Sequence, residues 1–315
     1  MQKRKLGNSE LVVSPLAFGG NVLGWTIHEK TSFEVLSAFA DAGCNFIDTA
    51  DIYARWATGL GGESEIIIGN WMRHRNNRKD IVLATKVGMD MGANKIGLSK
   101  KYILKAVDDS LKRLQTDYID LYQSHKDDEK TPVEETLEAY QLLIKAGKVR
   151  FIGASNFSPK RLQEALDISK KYNLPRYESL QPHYNLCERK AFETETEQIC
   201  LDNQLGVINY FPLASGFLTG KYRNENDLRK SIRGAGVSKF MNQKGFKILD
   251  AMDDIALKHK CKPVSVCLAW YMARPSITAP IASATSTDQI KDLIRSISLQ
   301  LDKEDIELLN SCSSY

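Results

Sequence analysis

Phe46-Ile47-Asp48-Thr49-Ala50-Asp51-Ile52-Tyr53 is the stretch whose reading decides the fold. An apolar run ends on the carboxylate of Asp48, and a loop tyrosine, Tyr53, follows five residues later. Two further stretches close in the same manner. Ile81-Val82-Leu83-Ala84-Thr85-Lys86 ends on a lysine, and Ile119-Asp120-Leu121-Tyr122-Gln123-Ser124-His125 ends on a histidine. Asp48, Tyr53, Lys86 and His125 are thus each carried at or just past the C-terminal end of a short strand-like run. Parallel neighbouring strands would bring the four side chains to one rim.

Outward from that stretch the chain alternates. Leu6-Gly7-Asn8-Ser9-Glu10-Leu11 reads as a tight turn between two short strands, and residues 11–18 as a first apolar strand. Residues 31–42 have helical periodicity, with Phe33, Leu36 and Ala40 on one face, Thr31 or Ser32 as N-cap and Gly43 just past the end. Strands are expected at 44–48 and 81–85, with a helix over 63–72 between them. A helix capped by Ser99 runs over 99–114, and a strand over 118–124. Thr131-Pro132 opens the next helix with proline at the first helical position and Glu134-Glu135 on its positive end, and Gly147 stops it. A strand follows at 149–155, then a helix opened by Ser158-Pro159 and a short strand at 178–181. Beyond these come a helix over 194–203, a strand over 206–211, helices over 240–261 and 263–273, a last strand over 277–282 and a helix over 287–294. Asp302 caps a terminal helix over 302–310.

No composition break, Pro-rich linker or low-complexity tract divides residues 1–315, which therefore read as a single domain. Short apolar strands alternating with helices argue a parallel sheet with right-handed crossovers. About eight such units favour an α/β fold closed into a (β/α)8 TIM barrel, with an N-terminal β-hairpin and extra helices near the C-terminus. A closed barrel gathers its strand C-termini on one face, where active sites form.

Hydrophobic residues at 43% and charged residues at 26% are ordinary for a globular protein. The net charge of +4 is small and Lys and Arg are scattered, so neither a nucleic-acid surface nor a polybasic membrane surface is expected. The six cysteines (Cys44, Cys187, Cys200, Cys261, Cys267, Cys312) form no CxxC pair and read as reduced thiols, as in a cytoplasmic protein. The basic start Met1-Gln2-Lys3-Arg4-Lys5 is followed by an apolar stretch broken at Gly7, Asn8, Ser9 and Glu10, unlike a secretory signal. Apolar runs such as 266–272 are too short to span a bilayer. Nothing in the sequence assigns an oligomeric state.

The four rim residues make a chemical set. A phenol with a pKa of about 10 is a poor proton donor near neutrality. An adjacent ammonium, here Lys86, would favour the phenolate and lower that pKa, and Asp48 one strand over supplies the lysine's counter-ion. His125 adds a donor able to orient a carbonyl oxygen. Together they suit protonation of an oxyanion, with no nucleophile and no metal cage; the reactant still required is a hydride, which needs a cofactor. Each residue alone is most simply an ordinary surface or core side chain, and it is their shared position on strand ends that sets them apart. His125-Lys126-Asp127-Asp128 is an alternative half of a metal site, as in a metal-dependent lyase or isomerase, but no second histidine completes a His-x-His pair at strand-end spacing.

At these residues the chain resembles the aldo-keto reductase superfamily, especially its bacterial members and the related potassium-channel β subunits. Asp48-Thr49-Ala50-Asp51-Ile52-Tyr53 is similar to the family's Asp-Thr-Ala-x-x-Tyr. Gly62-Glu63-Ser64-Glu65-Ile66-Ile67-Ile68-Gly69 resembles its Ser-Glu-x-x-x-Gly, and the segment ending Ala146-Gly147-Lys148-Val149-Arg150-Phe151-Ile152-Gly153-Ala154-Ser155-Asn156-Phe157 is the most specific match. The resemblance spans residues 6–309 and implies NAD(P)H-dependent reduction of aldehydes or ketones. It makes Tyr53 the proton donor, Asp48 and Lys86 its tuning pair, and His125 the residue that orients the carbonyl. In this family the cofactor lies extended across the barrel mouth, so no Gly-x-Gly-x-x-Gly is needed.

By the same resemblance Ser155, Asn156 and Gln181 hold the nicotinamide carboxamide, and Tyr210, expected to end the seventh strand, stacks on its ring. Phe211-Pro212-Leu213-Ala214-Ser215-Gly216-Phe217-Leu218-Thr219-Gly220-Lys221-Tyr222 is similar to the family's Ser-Pro-Leu-x-x-Gly-x-x-x-Gly-Lys-Tyr, placing Leu213, Gly216 and Lys221 at the pyrophosphate. Phe211 replaces the usual serine. Arg233 lies where channel-type members place an arginine on the cofactor. Pro280-Ile281-Ala282-Ser283-Ala284-Thr285-Ser286-Thr287-Asp288-Gln289 resembles Ile-Pro-Gly-Ala-x-x-x-x-Gln, with the 2′-phosphate and adenine held at a helix N-terminus. There Thr285, Gln289 and Asp292 are the cofactor candidates. Ser283 replaces glycine, Thr285 stands where many NADPH-selective members carry arginine, and Leu293 where an adenine-binding asparagine is common. NADPH is the expected cofactor, with NADH possible.

Trp25, Trp56 and Tyr53 suggest an aromatic entrance for a small-molecule carbonyl substrate, with Arg55 as an anion contact; plain loop packing is the alternative for the two tryptophans. The glycine-rich segment 88–97 suits a loop that flexes over the site. From another functional class, the alternative is an NADPH-binding regulatory or redox-sensing subunit with slow turnover.

Overall fold

A computed structural model describes residues 1–315. The chain opens with an antiparallel hairpin of β1 (Arg4–Lys5) and β2 (Val12–Val13). Its turn is pinned by Ser9, whose hydroxyl donates to the Leu6 carbonyl at 2.6 Å and accepts from the Leu11 amide at 3.2 Å. Leu6, Leu11 and Val13 close the bottom of the barrel, packing with Ala17, Phe46, Val82, Ala84, Leu121, Ile208, Ala279 and Ile281.

Gly7 sits in the left-handed region at φ +58°, and a Cβ there would meet the Glu178 carbonyl and the Gly206 amide. Gly7→Ala is therefore expected to lower stability by roughly 1–3 kcal/mol. The check is a urea midpoint that falls with an unchanged slope; an unmoved midpoint would mean that the hairpin does not brace the barrel.

The expected strand over 11–18 divides in two. Pro15 offers no N–H, while Ser14 turns its amide to Asn45 Oδ1 at 2.8 Å and its hydroxyl to the Leu16 carbonyl at 2.7 Å. The chain therefore bends from β2 into a separate barrel strand, β3 (Ala17–Gly19). Then follow α1 (Glu29–Asp41), β4 (Phe46–Asp48), α2 (Arg55–Thr58), α3 (Glu63–Arg75), β5 (Val82–Val87), α4 (Lys100–Leu114), β6 (Ile119–Ser124) and α5 (Val133–Lys145). The second half runs β7 (Val149–Ser155), α6 (Pro159–Tyr172), β8 (Tyr177–Gln181), α7 (Glu197–Asp202), β9 (Gly206–Val207), α8 (Gln243–Lys258), α9 (Pro263–Met272), β10 (Ile281–Ala282), α10 (Thr287–Ser298) and α11 (Lys303–Cys312).

Eight strands pair in the order β10-β3-β4-β5-β6-β7-β8-β9, every pair parallel. The ends meet through a parallel bridge of Val207 with Ile277 and the Ile281 amide donating to the Asn209 carbonyl at 3.0 Å. The result is a (β/α)8 barrel. Helices α8 and α11 are the additions near the C-terminus, packed on each other, with α8 also against α9.

Several boundaries differ from expectation for local reasons. Helix α1 starts at Glu29, with His28 in the capping position, because the Ser32 hydroxyl is spent donating to the His28 carbonyl at 2.8 Å. Pro132 occupies the capping position of α5 with ψ 140°, so the helix starts one residue later than expected. The helix expected from Thr194 begins as a π turn over 192–196. The strand expected over 206–211 stops at Val207 because Pro182, just past β8, has no amide to pair. The Ile208 and Tyr210 amides still donate to the Leu180 and Pro182 carbonyls, and Phe211, at φ +56° and followed by proline, ends the run. Tyr210 therefore does not end a strand, and is held beyond β9 by a bridge to His183. The last strand is only β10, because Pro280 has no amide to pair.

Side-chain alternation along these strands builds the rim. In β5, Val82 and Ala84 face the barrel interior with Lys86 above them, while Leu83 and Val87 join the larger apolar cluster under the helices. Register sets Asp48 beside Ala84, Lys86 beside Gln123, and Ser155 beside Gln181. The interior is thus apolar at the bottom and polar at the C-terminal end. No helix is long and apolar enough to cross a membrane.

Candidate active site

Lys86, fully buried, is the hub of the rim. Its Nζ donates to Asp48 Oδ2 at 2.7 Å, to the Thr49 carbonyl at 2.7 Å and to the Tyr53 hydroxyl at 2.9 Å. Three acceptors match its three N–H donors. The loop that delivers Tyr53 prolongs the β4–β5 pairing beyond the strand: the Thr49 amide reaches the Ala84 carbonyl at 2.8 Å and the Asp51 amide the Lys86 carbonyl at 3.3 Å. Ser64 then locks the loop from behind, 2.7 Å from Thr49 Oγ1 and donating to the Gly20 carbonyl at 2.8 Å. Glu65 accepts from Thr85 Oγ1 and from Arg113 Nε, both at 2.6 Å. Ser64 of α3 therefore braces the loop that carries the tyrosine, while Glu65 ties α3 to β5 and α4.

Asp48 uses its other oxygen as well. Oδ1 accepts from Gln123 Nε2 at 3.1 Å and from Gln181 Nε2 at 2.9 Å, and Gln181 Nε2 also reaches Gln123 Oε1 at 3.2 Å. Gln123 was not singled out in the sequence. The available signal was parity, since it faces the same way as Leu121 on β6 and lies beside Lys86. Gln181, expected at a nicotinamide, commits its amide N–H groups to this buried net.

Burial raises the Tyr53 phenol above its ordinary pKa, and the Lys86 ammonium only partly opposes that rise. The expectation of an acidified phenol is thus corrected: dehydration of the ring outweighs the nearby charge, and the hydroxyl stays protonated at neutral pH. Burial would lower the Lys86 pKa, but Asp48 and Tyr53 more than offset it, so the lysine stays charged. His125 follows β6 with its ring 6.0 Å from the Tyr53 ring. Burial, then repulsion from Lys86, holds it well below pH 6.5 and therefore neutral. Its Nδ1 is buried without a partner. A lone acceptor is cheaper to bury so than an N–H, which leaves Nε2–H as the ring's free donor.

Above the rim lies a cleft of about 1100 Å³. Asp48, Tyr53 and His125 line it, as do all the cofactor candidates: Ser155, Asn156, Gln181, Tyr210, Leu213, Gly216, Lys221, Arg233, Thr285, Gln289 and Asp292. Asn156, at φ +55°, accepts from the Tyr210 hydroxyl at 2.7 Å and donates to the His125 carbonyl at 2.9 Å, tying the two sides of the mouth together. Ser155 Oγ donates to the Gln181 carbonyl at 2.9 Å. Arg233 Nη2 is buried without a partner, and burial pushes its guanidinium below the usual arginine value. An unpaired cation facing a cleft calls for an anion.

Of the substrate candidates, Trp56 lines the cleft and is 52% exposed. Trp25 does not line it; it supports Trp56 edge-on at 5.5 Å and carries the Arg233 guanidinium 5.1 Å above its ring. Arg55 does not line the cleft. Its Nη1 donates to the carbonyls of Gly59 at 3.0 Å and Leu60 at 3.2 Å, so it shapes its own loop. Lys262 was not anticipated: it lines the cleft at the start of α9 and donates to Asp292 Oδ2 at 2.7 Å. No three His, Cys, Asp or Glu side chains are grouped in a way that would hold a metal ion.

The family model described as Aldo/keto reductase family matches residues 15–314. The chain is 37% identical to an uncharacterized oxidoreductase, YrpG, of Bacillus subtilis (strain 168), over 98% of this chain and 95% of that one. It is 34% identical to a probable voltage-gated potassium channel subunit beta of Oryza sativa subsp. japonica, over 94% of this chain and 91% of that one. It is also 30% identical to versiconal hemiacetal acetate reductase of Aspergillus parasiticus, over 98% and 96% respectively.

Proposed function

The chain belongs to the aldo/keto reductase family, a family of carbonyl-reducing oxidoreductases that generally use nicotinamide cofactors, and from that premise we propose that it reduces aldehydes or ketones with NADPH, Tyr53 donating the proton. One observation carries the reading: Lys86 Nζ stands 2.9 Å from the Tyr53 hydroxyl and 2.7 Å from Asp48, at the floor of a cleft large enough for a dinucleotide and a small substrate.

The residues present fit such a cofactor. The unpaired Arg233 Nη2 and Lys221 face the cleft where a pyrophosphate needs cations, and Tyr210 and Asn156 offer a ring and an amide beside His125. Bound there, a reduced nicotinamide supplies the hydride. His125 Nε2–H and the Tyr53 hydroxyl donate to the carbonyl oxygen and aim its carbon at that source. As the C=O π electrons move onto oxygen, the oxygen takes the phenolic proton. Lys86 stabilises the resulting phenolate at 2.9 Å, and Asp48 keeps the ammonium compensated throughout. Solvent returns the proton to Tyr53.

The test is loss of NADPH absorbance with a panel of aldehydes and ketones. Carbonyl-dependent turnover in the usual enzymatic range of roughly 1–10³ s⁻¹ supports the reading. The channel-subunit relative motivates a second one, a cofactor-binding regulatory subunit; tight NADPH binding with turnover below about one per minute would favour it.

A pH profile follows from the same geometry. His125 is neutral until well below pH 6.5, and Tyr53 keeps its proton past its ordinary value of 10. As kcat/KM reports the free enzyme, neither group should bend its profile for reduction between pH 6.5 and 10. A Tyr53-dependent alkaline limb below pH 10 would show that the ammonium outweighs burial after all.

A further inference from the structure

This inference rests on the dinucleotide reading and concerns the part of the cleft walled by α9 and α10. Thr285 cannot stand in for an arginine there: it is uncharged, and its amide and hydroxyl both donate to Gln289 Oε1, at 2.9 and 3.2 Å. The cation on this wall is Lys262, placed just before Pro263 at the start of α9 and paired across to Asp292 of α10 at 2.7 Å.

We propose that Lys262 is the residue that selects the phosphorylated dinucleotide, taking the 2′-phosphate of NADPH, with Asp292 as its partner when that phosphate is absent. The Lys262 side chain is 66% exposed, and an ion pair this wet contributes little. A phosphate monoester carries about −1.5 to −2 charges and three acceptor oxygens, so the ammonium gains by exchanging the carboxylate for it. A 2′-hydroxyl offers no such gain, and with it Lys262 stays on Asp292. The exchange must be made by the lysine's flexible stem. The backbone of Asp292 is fixed, since the Ser265 hydroxyl donates to its carbonyl at 2.8 Å, and Ser286 caps α10 six residues earlier. Asp292 is then a brake as well as a partner, since its charge opposes the phosphate that displaces it.

The experiment is a set of fluorescence titrations of the full chain with NADPH, NADH and 2′,5′-ADP, for the wild type, Lys262→Met, Lys262→Arg and Asp292→Asn. Lys262→Met should weaken NADPH and 2′,5′-ADP by about tenfold or more, the size of a lost charge-assisted contact, and leave NADH within about twofold. Lys262→Arg should restore NADPH binding, and Asp292→Asn should tighten it. An equal loss for NADPH and NADH in Lys262→Met would make the lysine a structural residue, and no loss for either would place the 2′-phosphate elsewhere; both overturn the inference while leaving the dinucleotide reading intact. A wild type that binds neither dinucleotide would sink that reading, and this inference with it.

Discussion

Tyr53→Phe is expected to lower kcat for carbonyl reduction by about 10²–10⁴-fold, the contribution of a positioned general acid, while NADPH affinity changes little. The ring keeps its place, because its edge-on contacts with Trp56 and His125, both at 6.0 Å, do not involve the hydroxyl. What is lost is the proton and one acceptor of the Lys86 ammonium, which retains Asp48 and the Thr49 carbonyl. The folded structure should therefore survive and the defect should fall on the chemical step. Activity retained within severalfold would remove Tyr53 from the mechanism.

Lys86→Met is expected to be more damaging, because it acts on both fold and chemistry. Removing one partner of a buried ion pair typically costs about 3–5 kcal/mol, since the other charge remains buried. Asp48 would lose the donor to Oδ2 and keep only Gln123 and Gln181 on Oδ1. The phenolate formed at Tyr53 would also lose its ammonium, so turnover should fall at least as far as in Tyr53→Phe. Denaturation midpoints separate the two variants: a large drop for Lys86→Met and almost none for Tyr53→Phe. Comparable midpoints would mean that the Lys86–Asp48 pair is not the hub described above. The double variant should be little slower than Lys86→Met alone, because groups acting as a unit do not add.

How much of this was legible in the sequence depended on whether a feature was local. Ser99, Ser158 and Asp302 announced their helices because an N-cap needs only the next turn, and all three side chains accept from the amide three residues on. The barrel was legible because strand–helix alternation is a local pattern repeated. Asp48, Tyr53, Lys86 and His125 were legible because each ends or follows an apolar run. The strands are shorter than the apolar runs suggest wherever Pro15, Pro182 or Pro280 withholds an amide from the ladder. Gln123 escaped notice because its role depends on register with a neighbouring strand. That Arg55 turns back onto its own loop could not be read, because backbone carbonyls have no identity in a sequence. Lys262 and Asp292, 30 residues apart, meet only because α9 packs on α10. The direction of the Tyr53 shift was misjudged for a related reason: the charge partner was visible, and the burial that outweighs it was not.

The most direct measurement is a single turnover of preformed complexes with NADPH, wild type against Tyr53→Phe, started by mixing with an aldehyde. Hydride loss, followed by absorbance, then reports the chemical step free of cofactor release. A rate at least about 10²-fold slower in the variant, with NADPH affinity held within about twofold, is the predicted result. Equal single-turnover rates would show that the phenol held by Lys86 is not the proton donor, and would contradict the account at its centre.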